Sequence, residues 1–339
     1  MRIAILAPIA WRTPPRKYGP WEQVASALTE GLVNRGLSVT LFATADSITT
    51  SRLRYSAPTG YAENTELDPK VEECLHISQV MEAARDFDLI HNHFDFLPLT
   101  YSRLIDTPMV TTIHGFSSPK IMPVYRKYNS RCHYVSISNA DRAADLDYIA
   151  TVYNGINTSQ FDVVARPDDY LLFFGRIHPE KGAHLAITVA RRAERRLLIA
   201  GPIQDTAYFE KELLPHIDGH QIQYIGNVGP EERNGLLGNA AALLHLISFD
   251  EPFGLSVAEA MCCGTPVVAI NRGSMNELVV HGETGFLVSD IAEAVPLIGR
   301  IPELSRQACA TWAREMFSQE KMVTSYLSVY QRILAAKSG

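Results

Sequence analysis

The stretch LLFFGRIHPEKGAHLAITVARRAERRLLIA, residues 171–200, decides the fold. An apolar run at 171–174 is followed by a loop closed by Gly182, an amphipathic stretch from Lys181 to about Glu194, and a second apolar run at 196–200. Strand, crossover helix and strand in this order make a parallel βαβ unit. Working outward, the same rhythm gives strands at 222–225, 242–246, 266–269 and 285–288, with helices at 207–217, 230–239 and 255–263 between them. Toward the N-terminus, strands are predicted at 2–7, 38–42, 89–91, 108–113, 133–136 and 149–152. A helix opening near Trp21 places Trp21, Val24, Leu28 and Leu32 on one face and stops at Gly36. The polar run at 162–169 reads as a linker. The expected class is therefore α/β with two Rossmann-like domains, at 1–163 and 164–317. A helical tail, about 318–339, should return to brace the first.

Composition narrows the class further. At 339 residues, the chain is too long for one ordinary core and suits two. It is 46% hydrophobic and 20% charged, with 21 Gly and 19 Pro, which excludes disordered and collagen-like classes. The 31 Lys+Arg and 37 Asp+Glu give a net charge of −6, and no basic block suits a nucleic-acid backbone. Nucleic acid is not an expected partner. Cys74, Cys132, Cys262, Cys263 and Cys309 include no C-x-x-C pair, so they read as reduced core thiols of a cytoplasmic protein. The N-terminal apolar run is broken by Pro8 and Arg12, too early for a signal peptide. No run approaches the ~20 apolar residues of a membrane-spanning helix. Peripheral membrane contact stays open but is not favoured by the charge balance.

In parallel sheets ligands sit beyond the carboxyl ends of the strands, so the loops there carry the chemistry. Neither half has G-x-G-x-x-G after a strand, and residues 175–182 end in Lys-Gly instead of Gly-Lys-Ser/Thr. Dinucleotide-binding and P-loop readings both lose their support. Arg176 and Lys181 beside a helix start still make either an anion site, fork plus point charge, or an ordinary solvated loop. The second cluster is Glu251, Phe253, Gly254, Leu255 and Glu259. There Gly254 allows close backbone approach, and the following helix aims free N–H groups at a ligand. Glu259, among Val257, Ala258, Ala260 and Met261, either takes hydrogen bonds from a hydroxyl-rich ligand or pairs with an arginine.

Glu251-x7-Glu259, with Phe253-Gly254 inside it and 264–269 (GTPVVA) after it, resembles the signature of the family-4 retaining glycosyltransferases. The likeness extends to Gly175-Arg176 with Glu180-Lys181-Gly182, to residues 153–157 (YNGIN) and to Gly282-x-x-Gly285-Phe286. The resemblance implies a GT-B fold, two Rossmann-like domains facing across a cleft. It implies a metal-independent, retaining hexosyltransferase that uses a nucleoside-diphosphate sugar as co-substrate and needs no cofactor. Arg176 and Lys181 would hold the diphosphate with the backbone of Gly254 and Leu255, and Glu259 the ribose. Glu251 would meet the donor sugar, with Phe253 beside it, and Asn227 and Val228 the base. His114, after a first-domain strand, would contact the transferred sugar, so His114, Glu251, Arg176 and Lys181 are the expected catalytic set. Gly19 matches the first of two glycines usual in a donor-facing loop. Pro20 replaces the second and removes an N–H donor, while also suiting the first turn of a helix. UDP-glucose is the favoured donor on family prevalence, with GDP-mannose the other.

The acceptor, a saccharide or small molecule, should be met by first-domain loops: Trp11, Arg16, Tyr18, His93, Asp95 and Ser138, with residues 115–120 nearby. His91 and His93 are expected on opposite sides of their strand, which argues against a zinc pair, and His93 and Asp95 on a shared one. Two other classes compete. A non-catalytic nucleotide-sugar-binding regulatory protein has less need of the whole set, and a carbohydrate hydrolase or phosphorylase leaves Arg176 and Lys181 unexplained.

Overall fold

The computed structural model describes residues 1–116 and 118–338. They divide into two units: the first runs over Met1–Gly155 and resumes at Gln319, and the second is Ile156–Ser318. The first unit contains β1 (Arg2–Leu6), β2 (Ser38–Phe42), β3 (Arg52–Arg54), β4 (Leu89–Asn92), β5 (Met109–Ile113), β6 (His133–Ser136) and β7 (Tyr148–Thr151). Its helices before residue 156 are α1 (Pro20–Asn34), α2 (Pro69–Glu82) and α3 (Met122–Tyr128). The second unit contains β8 (Tyr170–Phe174), β9 (Arg196–Ala200), β10 (Ile222–Tyr224), β11 (Ala242–His245), β12 (Val267–Ile270) and β13 (Gly285–Val288). Around them lie α4 (Ala183–Arg192), the short α5 (Thr206–Tyr208), α6 (Pro230–Asn239), α7 (Leu255–Cys262), α8 (Met275–Leu278), α9 (Ile291–Ile298) and α10 (Arg306–Phe317). Last comes α11 (Gln319–Ser338).

The sheets are ordered β3-β2-β1-β4-β5-β6-β7 and β10-β9-β8-β11-β12-β13, and every pairing is parallel. Both wind outward through three strands and then reverse, which is the Rossmann order. The expected pair of Rossmann-like domains is present. The reversal falls between β1 and β4 in one unit and between β8 and β11 in the other, so the loops after these strands flank a crevice within each sheet. Central strands covered on both faces read as continuous apolar runs, and Ile3, Ala4, Ile5 and Leu6 are all fully buried.

The tail returns as expected: α11 belongs to the first unit, where Gln319 Nε2 donates to the Ala27 carbonyl at 2.6 Å and Arg332 Nη1 to that of Ile149 at 3.0 Å. Gly339, at the end of that prediction, lies outside the described residues, as does Ser117 in the loop 115–120.

Several expectations need correction. The polar run 162–169 is not a linker. The Asp162 N–H donates to Asn234, that of Val164 to the Cys263 carbonyl and that of Asp168 to the Asn239 carbonyl, so the run is fastened to the second unit. The division falls at 155/156 and 318/319 instead of 163/164 and 317/318. The helix expected at 207–217 is broken into α5, a π-helical turn and a 3-10 turn at Leu214–His216, because Pro215 cannot continue an α-helix. β3 has no counterpart among the expected strands, because Arg-Leu-Arg carries too little apolar pattern. Cys132, Cys262, Cys263 and Cys309 are buried free thiols, but Cys74 is exposed on α2. Among the described residues no helix is long and apolar enough to cross a membrane.

Candidate functional site

In the second unit, the loop after β8 carries Gly175, Arg176 and a turn at Pro179–Lys181, and the loop after β11 carries Glu251. Gly182 makes their approach possible: its φ is +75°, and a Cβ there would stand 1.9 Å from the Leu246 carbonyl oxygen. The Ser248 N–H then donates to the Glu180 carbonyl at 2.9 Å. Lys181 therefore does not open the helix as expected. It ends the turn before left-handed Gly182, and α4 begins at Ala183.

This arrangement sets Lys181 Nζ 2.5 Å from Glu251 Oε2 and 4.6 Å from the centre of the Phe249 ring. His245, at the end of β11, puts Nε2 3.3 Å from the same carboxylate oxygen. Burial by itself would raise the Glu251 carboxyl, but Lys181 and His245 outweigh it and hold the group at about 2. Glu251 is thus a buried anion kept charged by its neighbours. Arg176 is turned elsewhere, bonding Gln204, so the two cations are not on a common partner.

Gly254 caps α7 with φ +92°, which leaves the first N–H groups of α7, beginning at Leu255, directed out of the helix start. Glu259 lies inside α7, 2% exposed, and its Oε1 accepts from Arg233 Nη1 of α6 at 3.0 Å. Of the two readings open for Glu259, pairing with an arginine is the one observed. Phe253 is buried with its ring against Phe317, so any donor contact there falls to the backbone. Val228 is buried and Asn227 half-buried, beyond β10.

In the first unit, Gly19 caps α1 and Pro20 occupies its first turn, as the sequence suggested. Trp11 and Tyr18 meet edge to face at 5.5 Å. The Trp11 N–H donates to Glu22 Oε1 at 3.3 Å, and burial pushes the Glu22 carboxyl up to about 7. Exposed Arg16 is held by Asp46 at 3.1 Å and Glu63 at 3.8 Å. His114, just after β5, stacks on Trp21 at 5.4 Å, and burial pushes it down to about 3, a neutral imidazole.

His91 and His93 do not face opposite sides. Their ring centres are 4.1 Å apart, because a two-residue period returns i and i+2 to one face. His93 is fully buried, with Nδ1 2.9 Å from His114 Nε2, so it backs His114 and presents nothing to an acceptor. Asp95 does not share that environment: at φ +73° it accepts from the Tyr125 hydroxyl, and burial raises its carboxyl to about 6. Ser138 is fully buried too, its Oγ accepting from the Asp141 N–H at 3.1 Å. Of the expected acceptor contacts, Trp11, Arg16, Tyr18 and Asp95 retain accessible surface.

The family profile for glycosyl transferases group 1 matches residues 157–305, and that for glycosyltransferase family 4 matches 22–160. The chain belongs to the GT-B glycosyltransferases. A glycogen synthase of Mycobacterium tuberculosis is 28% identical to it over 291 residues, covering 74% of this chain and 70% of its own. A D-inositol 3-phosphate glycosyltransferase of Pseudarthrobacter chlorophenolicus is 27% identical over 326 residues, covering 78% and 76%. The crystal structure of Anabaena Alr3699/HepE in complex with UDP matches with a TM-score of 0.75 at 19% identity, over 98% of this chain and 100% of that one. At that identity the likeness speaks for the fold alone.

Sequence reasoning missed four side chains of this glycosyltransferase's two crevices: His245, Arg233, Glu22 and Trp21. His245 stood six residues before Glu251 at a strand's carboxyl end, which was a usable signal. Arg233 and Glu22 sit on helices in polar company and gave none. Trp21 falls on the core-facing stripe of its helix in the sequence pattern, which does not report its contact with His114.

Proposed function

We propose that this glycosyltransferase moves a hexose from a nucleoside-diphosphate sugar, UDP-glucose foremost and GDP-mannose next, to a hydroxyl of a saccharide or small-molecule acceptor, with retention at the anomeric carbon. The observation that carries the reading is the Lys181–Glu251 pair, fixed between the loops after β8 and β11 of the second unit. Departure of a nucleoside diphosphate builds negative charge on the phosphates and positive charge on the sugar. Lys181, Arg176 and the α7 N-terminus offer compensation for the first, and the Glu251 carboxylate offers it for the second. Since these groups supply positive charge themselves, the reading calls for neither metal nor cofactor.

Glu251 is engaged by Lys181, which suits it to hydrogen bonds with sugar hydroxyls better than to nucleophilic attack. The departing phosphate then takes the acceptor proton on the same face. Glu259 would accept hydrogen bonds from the ribose hydroxyls, and His114 meets the transferred sugar. The names of the relatives, a glycogen synthase and an inositol-phosphate glycosyltransferase, and the UDP bound to HepE support this substrate class.

The test is a donor panel scored by melting shift and by sugar transfer in the presence of a chelator. UDP-glucose or GDP-mannose at a hundred times Kd should add about 2.7 kcal/mol of stability. Arg176→Ala and Lys181→Ala should each weaken the response. No stabilisation by any nucleotide sugar would remove the reading; binding without transfer to any acceptor would favour a regulatory protein.

A further inference from the structure

Three histidines pack in series inside the first unit, and the proposed function uses only the last. Ring centres lie 4.1 Å apart between His91 and His93 and 5.2 Å between His93 and His114. His91 has both nitrogens engaged: Nδ1 is 2.7 Å from the Tyr330 hydroxyl and Nε2 is 2.7 Å from Thr112 Oγ1, which in turn meets the Tyr326 hydroxyl at 2.6 Å. The tyrosines of α11 thus fix His91, and the His91 ring backs His93. His93 is different. Its Nδ1 meets His114 Nε2 at 2.9 Å, while its Nε2 is buried with no partner among the described residues.

Burial disfavours the charged form of all three rings, so each carries one proton. Across the His93–His114 contact, one nitrogen must donate and the other accept. With its proton on Nε2, His93 would bury an unbonded N–H; with its proton on Nδ1, it buries only an unused lone pair. Orphaned buried N–H groups are the rarer and costlier defect. We propose that His93 is a positioning residue that donates Nδ1–H to His114 Nε2, holding the His114 proton on Nδ1 so that His114 meets the transferred sugar as a hydrogen-bond donor. Its last clause rests on the proposed role of His114; the tautomer assignment does not.

The experiment is a long-range 1H–15N imidazole spectrum of the full-length 15N-labelled chain, with His114 identified by its loss in His114→Gln. In the wild type, His114 should show a protonated Nδ1 and a bare Nε2. His93→Asn, whose amide reaches the Nδ1 position and can still donate, should keep that pattern. His93→Phe should let the Nε2–H form appear. It should also lower kcat/KM for sugar transfer by about fivefold to tenfold, the worth of one neutral hydrogen bond, with UDP affinity unchanged. A His114 protonated on Nε2 in the wild type, or a His93→Phe spectrum like the wild type's, overturns the proposal. The wild-type tautomer is read without substrate, and His114→Gln serves only to assign the signal. If the tautomer stands while nucleotide sugars fail to bind, it is the functional reading that falls.

Discussion

The two units wind their strands in the same order but treat buried ionisable groups in opposite ways. In the second unit charge is kept by pairing: Lys181 and His245 hold Glu251 down at about 2, and Arg233 sits on Glu259. In the first unit charge is shed: burial pushes Glu22 up to about 7 and Asp95 to about 6, and lowers His91, His93 and His114 into the neutral form. One backbone topology therefore carries a crevice of fixed charges and a crevice of neutral donors and acceptors. The first kind suits a diphosphate, whose charge has to be met, and the second suits hydroxyls, which need hydrogen bonds alone.

The comparison breaks most readily at Glu259. Glu259→Ala takes a carboxylate from Arg233 inside the second unit and is expected to cost about 3–5 kcal/mol in chemical denaturation, the usual effect of halving a buried pair. A loss under about 1 kcal/mol would mean that the pair carries little charge interaction. Next is Glu251. Its folded pKa lies below the ordinary carboxyl value of 4.5, so its stabilising contribution is present above 4.5 and is lost as pH falls through about 2. Holding the carboxyl at about 2 in place of 4.5 corresponds to about 3 kcal/mol. Glu251→Gln should be less stable than the wild type by that amount at pH 7 and converge with it near pH 2. Parallel stability curves would contradict the pairing.

How far the sequence reached follows the same divide. The second unit's candidate residues stand out in the sequence because they sit in short, ordered motifs: Gly175-Arg176, Lys181-Gly182 and Glu251-x7-Glu259 each begin in the loop after a strand. The Lys181–Glu251 contact itself was not legible, since it depends on the backbone approach at Gly182 and joins residues 70 positions apart. In the first unit the place after β5 singles out His114, whereas His93 and Ser138, both fully buried, look accessible in the sequence because linear pattern does not report depth. Glu22 was passed over for a related reason: its unusual protonation comes from burial under the loop 11–19, which no local pattern encodes.

Glu22 gives the opposite sign to Glu251. Its pKa is raised from 4.5 to about 7, so its contribution is fully present below 4.5 and is lost as pH rises through 7. Glu22→Gln keeps an acceptor for the Trp11 N–H and cannot ionise. It should be more stable than the wild type by about 2 kcal/mol at pH 8, the rise from 4.5 to about 7 discounted for relaxation of the loop, and equal to it near pH 4.5. A variant that is less stable at both pH values would show Glu22 to be ionised and paired in the folded state, and the contrast between the units would fail at that point.

The smallest effect sharpens the contrast from the neutral side. Tyr330 is fully buried on α11, and its hydroxyl meets His91 Nδ1 at 2.7 Å. Tyr330→Phe keeps the ring and removes one neutral hydrogen bond, leaving a buried imidazole nitrogen without its partner, for an expected loss of about 1–2 kcal/mol. Because neither group is charged, that loss should stay the same between pH 7 and 9 and between low and high salt, whereas the Lys181–Glu251 and Arg233–Glu259 pairs are the places to look for an electrostatic response. A salt-dependent loss in Tyr330→Phe would mean that His91 carries charge in the folded protein, and the first crevice would then be no more neutral than the second.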